Sequence, residues 1–159
     1  MPIVALFHQN IIKMEQRVNI QQTQPDTWKA MYNLSAVISK SNLSPILKHL
    51  IKVRVSQINS CAYCINMHTL EALKIGETQQ RLFILSAWKE TDLFSDEEKA
   101  ALALTEEVTL VHQHGISNAT YKTAEKFFSP ELIGEIITST ILMNMWNRIA
   151  VSTHLIVGS

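Results

Sequence analysis

Glycine and proline are scarce, with four of each in 159 residues, and glycine alone averages about 7% of residues in proteins. An all-β chain needs more turn formers than that. There are two cysteines, Cys61 and Cys64, three positions apart. A pair so close cannot staple a fold by closing a long loop, and in a reducing compartment it reads as redox or metal chemistry. Charge of either sign is not in excess, since fourteen Lys plus Arg balance fourteen Asp plus Glu. Without a basic surplus, neither nucleic acid nor an anionic membrane surface is an expected partner. Long apolar runs are missing too. The uncharged stretch from Ile136 to Asn147 falls short of the ~20 residues that span a bilayer. The opening MPIVALFHQN has no basic n-region of a secretory leader. These absences point to a cytoplasmic protein, and 47% apolar with 18% charged residues fits one globular domain.

The few turn formers are placed as helix punctuation. Ser44-Pro45 and Ser129-Pro130 each pair a capping hydroxyl with proline at the first helical position, and Pro25 precedes another helical pattern. Gly76 and Gly115 follow periodic segments, where left-handed caps are expected. Ser95-Asp96-Glu97-Glu98 reads as a capping box. Between these marks the apolar period is helical, as in Leu47, Ile51, Val55 and Ile58, or in Ile133, Ile137, Ile141 and Met145. The pattern predicts helices near 26–40, 45–58, 61–75, 78–89, 96–113, 118–128 and 130–151, an all-α compact bundle of about seven helices. Residues 1–13 read as an N-terminal extension or arm, residues 14–159 as the domain, and 19–26 as a linker.

The chemistry-bearing string is SQINSCAYCINMH, residues 56–68. If Asn59 or Ser60 caps a helix, Cys61 falls in its first turn, and Cys61, Cys64 and His68 share one face. The positive helix end stabilises a thiolate, and cysteines so placed ionise well below the free value of ~8.5. His68 can accept a thiol proton. This suits a reactive dithiol, which requires the two sulfurs to be within bonding distance and reachable from water. Two other readings stand beside it: buried filler, or a metal site made by Cys61, Cys64, His68 and one further histidine among His8, His49, His112, His114 and His154.

The string RVSQINSCAYCINMHTLEALKIGE resembles the signature of the AhpD-like alkylhydroperoxidase group of the carboxymuconolactone decarboxylase superfamily. WKETDLFSDEEKAALALTEEVTL and MNMWNRIAV, the latter like the group's Asn-x-Trp-Asn-Arg element, are similar to further segments of it. The resemblance covers about Met14 through Val151. It implies an all-helical subunit that assembles as a homo-trimer or homo-hexamer and needs no cofactor. It implies that Cys64 attacks a small organic hydroperoxide or hydrogen peroxide, with Cys61 resolving it into a disulfide and His68 assisting proton transfer. An external dithiol of lipoyl or thioredoxin type would restore the pair, giving an antioxidant peroxidase.

Two departures mark this chain. Efficient peroxidases of the group commonly carry a glutamate twelve residues before the first cysteine, where His49 stands here. Tyr63 stands where they may have histidine between the cysteines. His49 is a candidate substitute base; Glu106 or Glu107 would serve if either points at the dithiol. Trp146 and Met145 read as core or subunit interface, Trp28 and Tyr32 as a packing pair, and Asn147 and Arg148 as contacts to an acidic partner or neighbouring chain. A carboxymuconolactone decarboxylase-like enzyme and a non-enzymatic redox-sensing oligomer are the rival readings.

Overall fold

The computed structural model describes residues 15–158, and among them every regular element is helical. In chain order these are α1 (Ile20–Thr23), α2 (Pro25–Ser39), α3 (Pro45–Ile58), α4 (Ala62–Lys74) and α5 (Gln79–Ile84). A 3-10 segment (Leu85–Glu90) follows, then α6 (Asp96–Thr109), α7 (Val111–His114), α8 (Asn118–Ala124) and α9 (Pro130–Thr153). No helix among the described residues is long and apolar enough to cross a membrane. The expected arm, residues 1–13, lies outside the described residues.

The starts of the helices are set by the expected caps. Ser44 Oγ accepts the Leu47 amide at 3.2 Å and Ser129 Oγ that of Leu132 at 3.4 Å, each with proline at the first helical position. Ser95 and Glu98 close a reciprocal capping box at 3.1 and 2.9 Å. Such a cap stabilises a helix by about 1 kcal/mol.

Several ends differ from expectation. The segment expected as a linker holds α1, because Asn19 Oδ1 caps it through the Gln22 amide at 3.1 Å. The helix expected over 96–113 breaks at Leu110 (φ −100°, ψ 28°) into α6 and α7, and Gly115, at φ 70°, ends the second piece. The one expected over 78–89 is α5 followed by the 3-10 segment, with non-helical backbone at Ala87. The one expected over 118–128 ends as α8 at Ala124, after which the chain continues in a turn with the Phe128 amide on the Ala124 carbonyl.

Helix α3 is the centre of the bundle, packed by α4, α6 and α9, with α8 against α6 and α2 against α9. Its apolar residues point in two directions, and each side has its own core. Leu47, Ile51 and Val55 join Cys61, Cys64, Leu104, Ile133, Ile136 and Met143 in one cluster. Leu50 and Val53 join Leu82, Leu85, Trp88, Phe94 and Leu102 in the other, beneath α5 and the 3-10 segment. Each fully buried Leu, Ile or Val favours the fold by about 1.5–3 kcal/mol over an exposed one. Helix α2 buries no residue of its own; Trp28 and Tyr32, 5.5 Å apart, hold it to α9 through edge-to-face contacts with Trp146 at 5.2 and 5.3 Å. Trp146 is thus an intramolecular anchor, and its Nε1 donates to Ser35 Oγ at 3.0 Å.

Candidate active site

The turn between α3 and α4 presents the cysteines. Asn59 caps α3, Ser60 takes the left-handed conformation (φ 53°), and the amides of Ser60 and Cys61 return to the carbonyls of Gln57 and Ser56. This is the doubly bonded reversal that usually carries glycine at the left-handed residue. Cys61 follows as the N-cap of α4 itself, one position short of the expected first turn, and its Sγ accepts the Cys64 amide at 3.4 Å. Cys64 is therefore the third helical residue, and His68 lies four further along. Cys61 and Cys64 are disulfide-bonded, with Cα atoms 5.4 Å apart.

A buried amide network fixes this turn from behind. Asn147 is fully buried; its Nδ2 donates to Ser56 Oγ at 3.1 Å and its Oδ1 accepts from Asn59 Nδ2 at 3.0 Å. Asn144 Oδ1 accepts from the same Asn59 amide at 2.9 Å, while its Nδ2 reaches Thr109 Oγ1 and the Thr140 carbonyl. Asn147 thus contacts the dithiol turn of its own chain, against the expectation of an outside partner. Arg148 donates to the Asn144 carbonyl and side chain, supporting the same network.

One turn along α4, His68 is buried, and its Nδ1 is 2.8 Å from Glu71 Oε2. With Glu71 ionised, the tautomer assigned by this bond carries hydrogen on Nδ1 and leaves Nε2 as acceptor. Burial pushes the His68 pKa below its ordinary value, with the Glu71 hydrogen bond opposing. Burial by itself favours protonated Glu71, yet the His68 bond and the charges of His68, Lys52 and His49 hold its carboxyl below the usual range. His49, from α3, places its ring centroid 6.2 Å from that of His68, and its Nδ1 is 3.8 Å from the same Glu71 oxygen. Burial, with neighbouring Lys52 adding to it, lowers the His49 pKa to about 4. Burial thus favours the neutral form of both imidazoles.

Glu71 is the carboxylate that reasoning from sequence overlooked. Its signal was present: His68 and Glu71 stand three apart in HTLE, the spacing that makes helical neighbours. Neither carboxylate offered in its place faces the dithiol. Glu106 is held by Arg54 at 2.7 Å, Trp88 Nε1 at 2.7 Å and Lys89 at 2.8 Å. Glu107 accepts from the Ser117 amide and hydroxyl and from Thr120 Oγ1, closing the start of α8.

The expectation that the sulfurs are reachable from water is contradicted: Cys61 and Cys64 are 1% and 2% exposed in the disulfide form. They sit at the edge of the first core cluster, with Tyr63 packed against it. The open space on this side is a cleft of about 280 Å³ lined by Tyr63, Asn66, Met67, Leu70, Glu71, Lys74 and Gly158. Glu71 joins that cleft to His68.

An all-helical bundle with a Cys-x-x-Cys pair opening its fourth helix defines the class. The chain belongs to the carboxymuconolactone decarboxylase family, whose model matches residues 25–107, and within it to the AhpD-like group. It is 38% identical over 139 residues to the uncharacterized protein YdfG of Bacillus subtilis (strain 168), covering 87% of this chain and 95% of that one. The crystal structure of ATU0492 from Agrobacterium tumefaciens, a protein of unknown function considered for the antioxidant defence protein AhpD, superposes with a TM-score of 0.88 at 32% identity over 91% of this chain and 99% of its own. The debrominase Bmp8 shares the fold, with a TM-score of 0.74 at 17% identity over 87% of this chain and 74% of its own.

Proposed function

We propose that the protein is a thiol-dependent peroxidase and disulfide oxidoreductase acting through Cys64 and Cys61. The observation that carries this reading is the disulfide itself, formed across one turn at a helix start with a buried imidazole on the next turn. In the reduced form His68 Nε2 takes the Cys64 proton. The Cys64 thiolate attacks the distal peroxide oxygen; the S–O bond forms as the O–O bond breaks, sulfur loses two electrons, and the alkoxide leaves and is protonated to the alcohol. Cys61 then attacks the sulfenic sulfur, forming the disulfide and releasing water. An external dithiol reduces the disulfide by exchange and departs as its own disulfide.

The two sulfurs have different support. Cys61 Sγ receives a backbone amide at the positive end of α4, which stabilises its thiolate as the leaving group in exchange. Cys64 lies one turn from His68, the base. Glu71 is the positioning residue that replaces the carboxylate missing at position 49: by accepting from Nδ1 it fixes the tautomer and raises the basicity of Nε2. Because both sulfurs are covered, exchange requires the 59–63 turn to open beside the Tyr63 cleft. A small hydroperoxide entering that cleft, a lipoyl- or thioredoxin-type reductant, and assembly into a homo-trimer or homo-hexamer complete the proposal.

The test is turnover of an organic hydroperoxide with a dithiol reductant. Cys64→Ser should reduce it to the uncatalysed rate, whereas Cys61→Ser should still consume one peroxide per chain and leave a sulfenic acid that a dimedone probe traps. Wild-type turnover in Cys64→Ser would remove Cys64 from the mechanism and overturn the proposal.

A further inference from the structure

We infer that His49, His68 and Glu71 form a binding site for a divalent transition-metal ion of the zinc type. The three residues come from two packed helices, and one ligand atom from each lies within 4.8 Å of the others. In a tetrahedral zinc site with bonds of ~2.0–2.1 Å, neighbouring ligand atoms are ~3.3 Å apart. The observed separations lie on either side of that value: His68 Nδ1 is 2.8 Å and His49 Nδ1 3.8 Å from the same Glu71 oxygen. Side-chain shifts of about half an ångström bring each imidazole to the tetrahedral separation from Glu71, and the two imidazoles, within 4.8 Å of one another, close on the ion by side-chain rotation.

A second observation points to a ligand. His49 Nδ1 is buried and has no hydrogen-bond partner, and a buried polar nitrogen left so costs about 1–3 kcal/mol. At 3.8 Å Glu71 is too far to satisfy it. An ion between the two imidazoles would give this nitrogen the partner it lacks. Two neutral imidazoles and one carboxylate are a donor set that zinc accepts once the His68 hydrogen moves from Nδ1 to Nε2, with a fourth position left for water. Water has a way in, because the Glu71 side chain is 42% exposed. Lys52 and Lys48, the cations acting on these groups, oppose an incoming ion and make affinity moderate.

The site uses no thiol, so it is tested on the disulfide form, where the peroxidase chemistry cannot operate. Failure of one reading is thereby separable from failure of the other. Co²⁺ is titrated into oxidised, chelator-treated protein and followed by visible absorption, with Zn²⁺ competition measured by calorimetry. One equivalent should bind with the spectrum of a four-coordinate ion, and Zn²⁺ should displace it. His49→Gln and Glu71→Gln should each weaken binding by tenfold or more, with the circular-dichroism melt showing that both fold. Lys52→Met should tighten binding several-fold. The proposal is overturned by absence of saturable binding, or by binding that His49→Gln, Glu71→Gln and Lys52→Met all leave unchanged.

Discussion

Asn59 Nδ2 donates to Asn147 Oδ1 at 3.0 Å across 88 residues of sequence. Through this bond the last helix holds the residue that ends α3, two positions before Cys61. The Asn-x-Trp-Asn-Arg element, which resembles a family signature, thus has a physical task in this fold: Asn144 and Asn147 set the dithiol turn, and Trp146 docks α2. Asn147→Ala removes a fully buried amide and its two bonds, and leaves a void. It should cost about 2 kcal/mol in urea unfolding. It should also make the disulfide more accessible to a reductant, seen as faster reduction by a small dithiol below the unfolding transition. Equal reduction rates would separate the network from the turn.

Glu71→Gln tests the positioning role. The amide is nearly isosteric, so stability should change little, but it no longer favours a protonated His68. Hydroperoxide turnover in chelator-treated protein should fall by about tenfold or more, within the range of general-base effects. The alkylation pKa of Cys64 should rise, while that of Cys61, supported by a backbone amide, should stay. A drop in turnover without movement of the Cys64 alkylation profile would assign Glu71 a merely structural part.

Much of this arrangement was legible from the residues. Serine–proline pairs and the Ser95–Glu98 box marked helix starts, because capping is local chemistry written within four residues. The cysteine spacing foretold a pair that can bond, for the same reason. Burial of that pair was not legible, since it depends on how deeply α4 seats beside α3 and α9, which no local pattern encodes. Asn147 looked like a contact for an outside partner because its own partners are far away in sequence. Glu106 and Glu107 compete with Glu71 in the sequence, because only rotation of α6 about its axis decides where those two point. That rotation turns Glu106 toward Arg54 and Lys89.

The Glu106 cluster makes acid stability testable. Burial of Glu106 would raise its pKa, but hydrogen bonds from Lys89 and Trp88 and the charge of Arg54 hold it below the ordinary 4.5. A carboxyl with a depressed folded-state pKa contributes stability that is complete above its unfolded pKa and is lost as pH falls through the folded value. Glu106→Gln should therefore lower stability by about 2 kcal/mol near neutral pH, since Arg54 keeps a half-buried charge with one partner fewer. As pH falls through that depressed folded-state value the variant and wild type should converge. Urea midpoints across that range give the measurement; a constant difference would mean that Glu106 does not titrate with folding.

Assembly can be tested on α2. Leu34 and Val37 lie three apart on one face of this helix and are 45% and 67% exposed, while Ile141 on α9 is 54% exposed. Apolar groups left open on a helix that buries nothing of its own are more readily explained by a second copy of the chain than by water. Light scattering should give a mass of three or six chains. Val37→Lys, at a side chain two-thirds exposed in a lone subunit, should leave the melting temperature of an isolated subunit almost unchanged but shift the assembly toward smaller species. A single-chain mass for the wild type at micromolar concentration would show that these residues face water. An unaltered oligomer in Val37→Lys would move the interface away from α2.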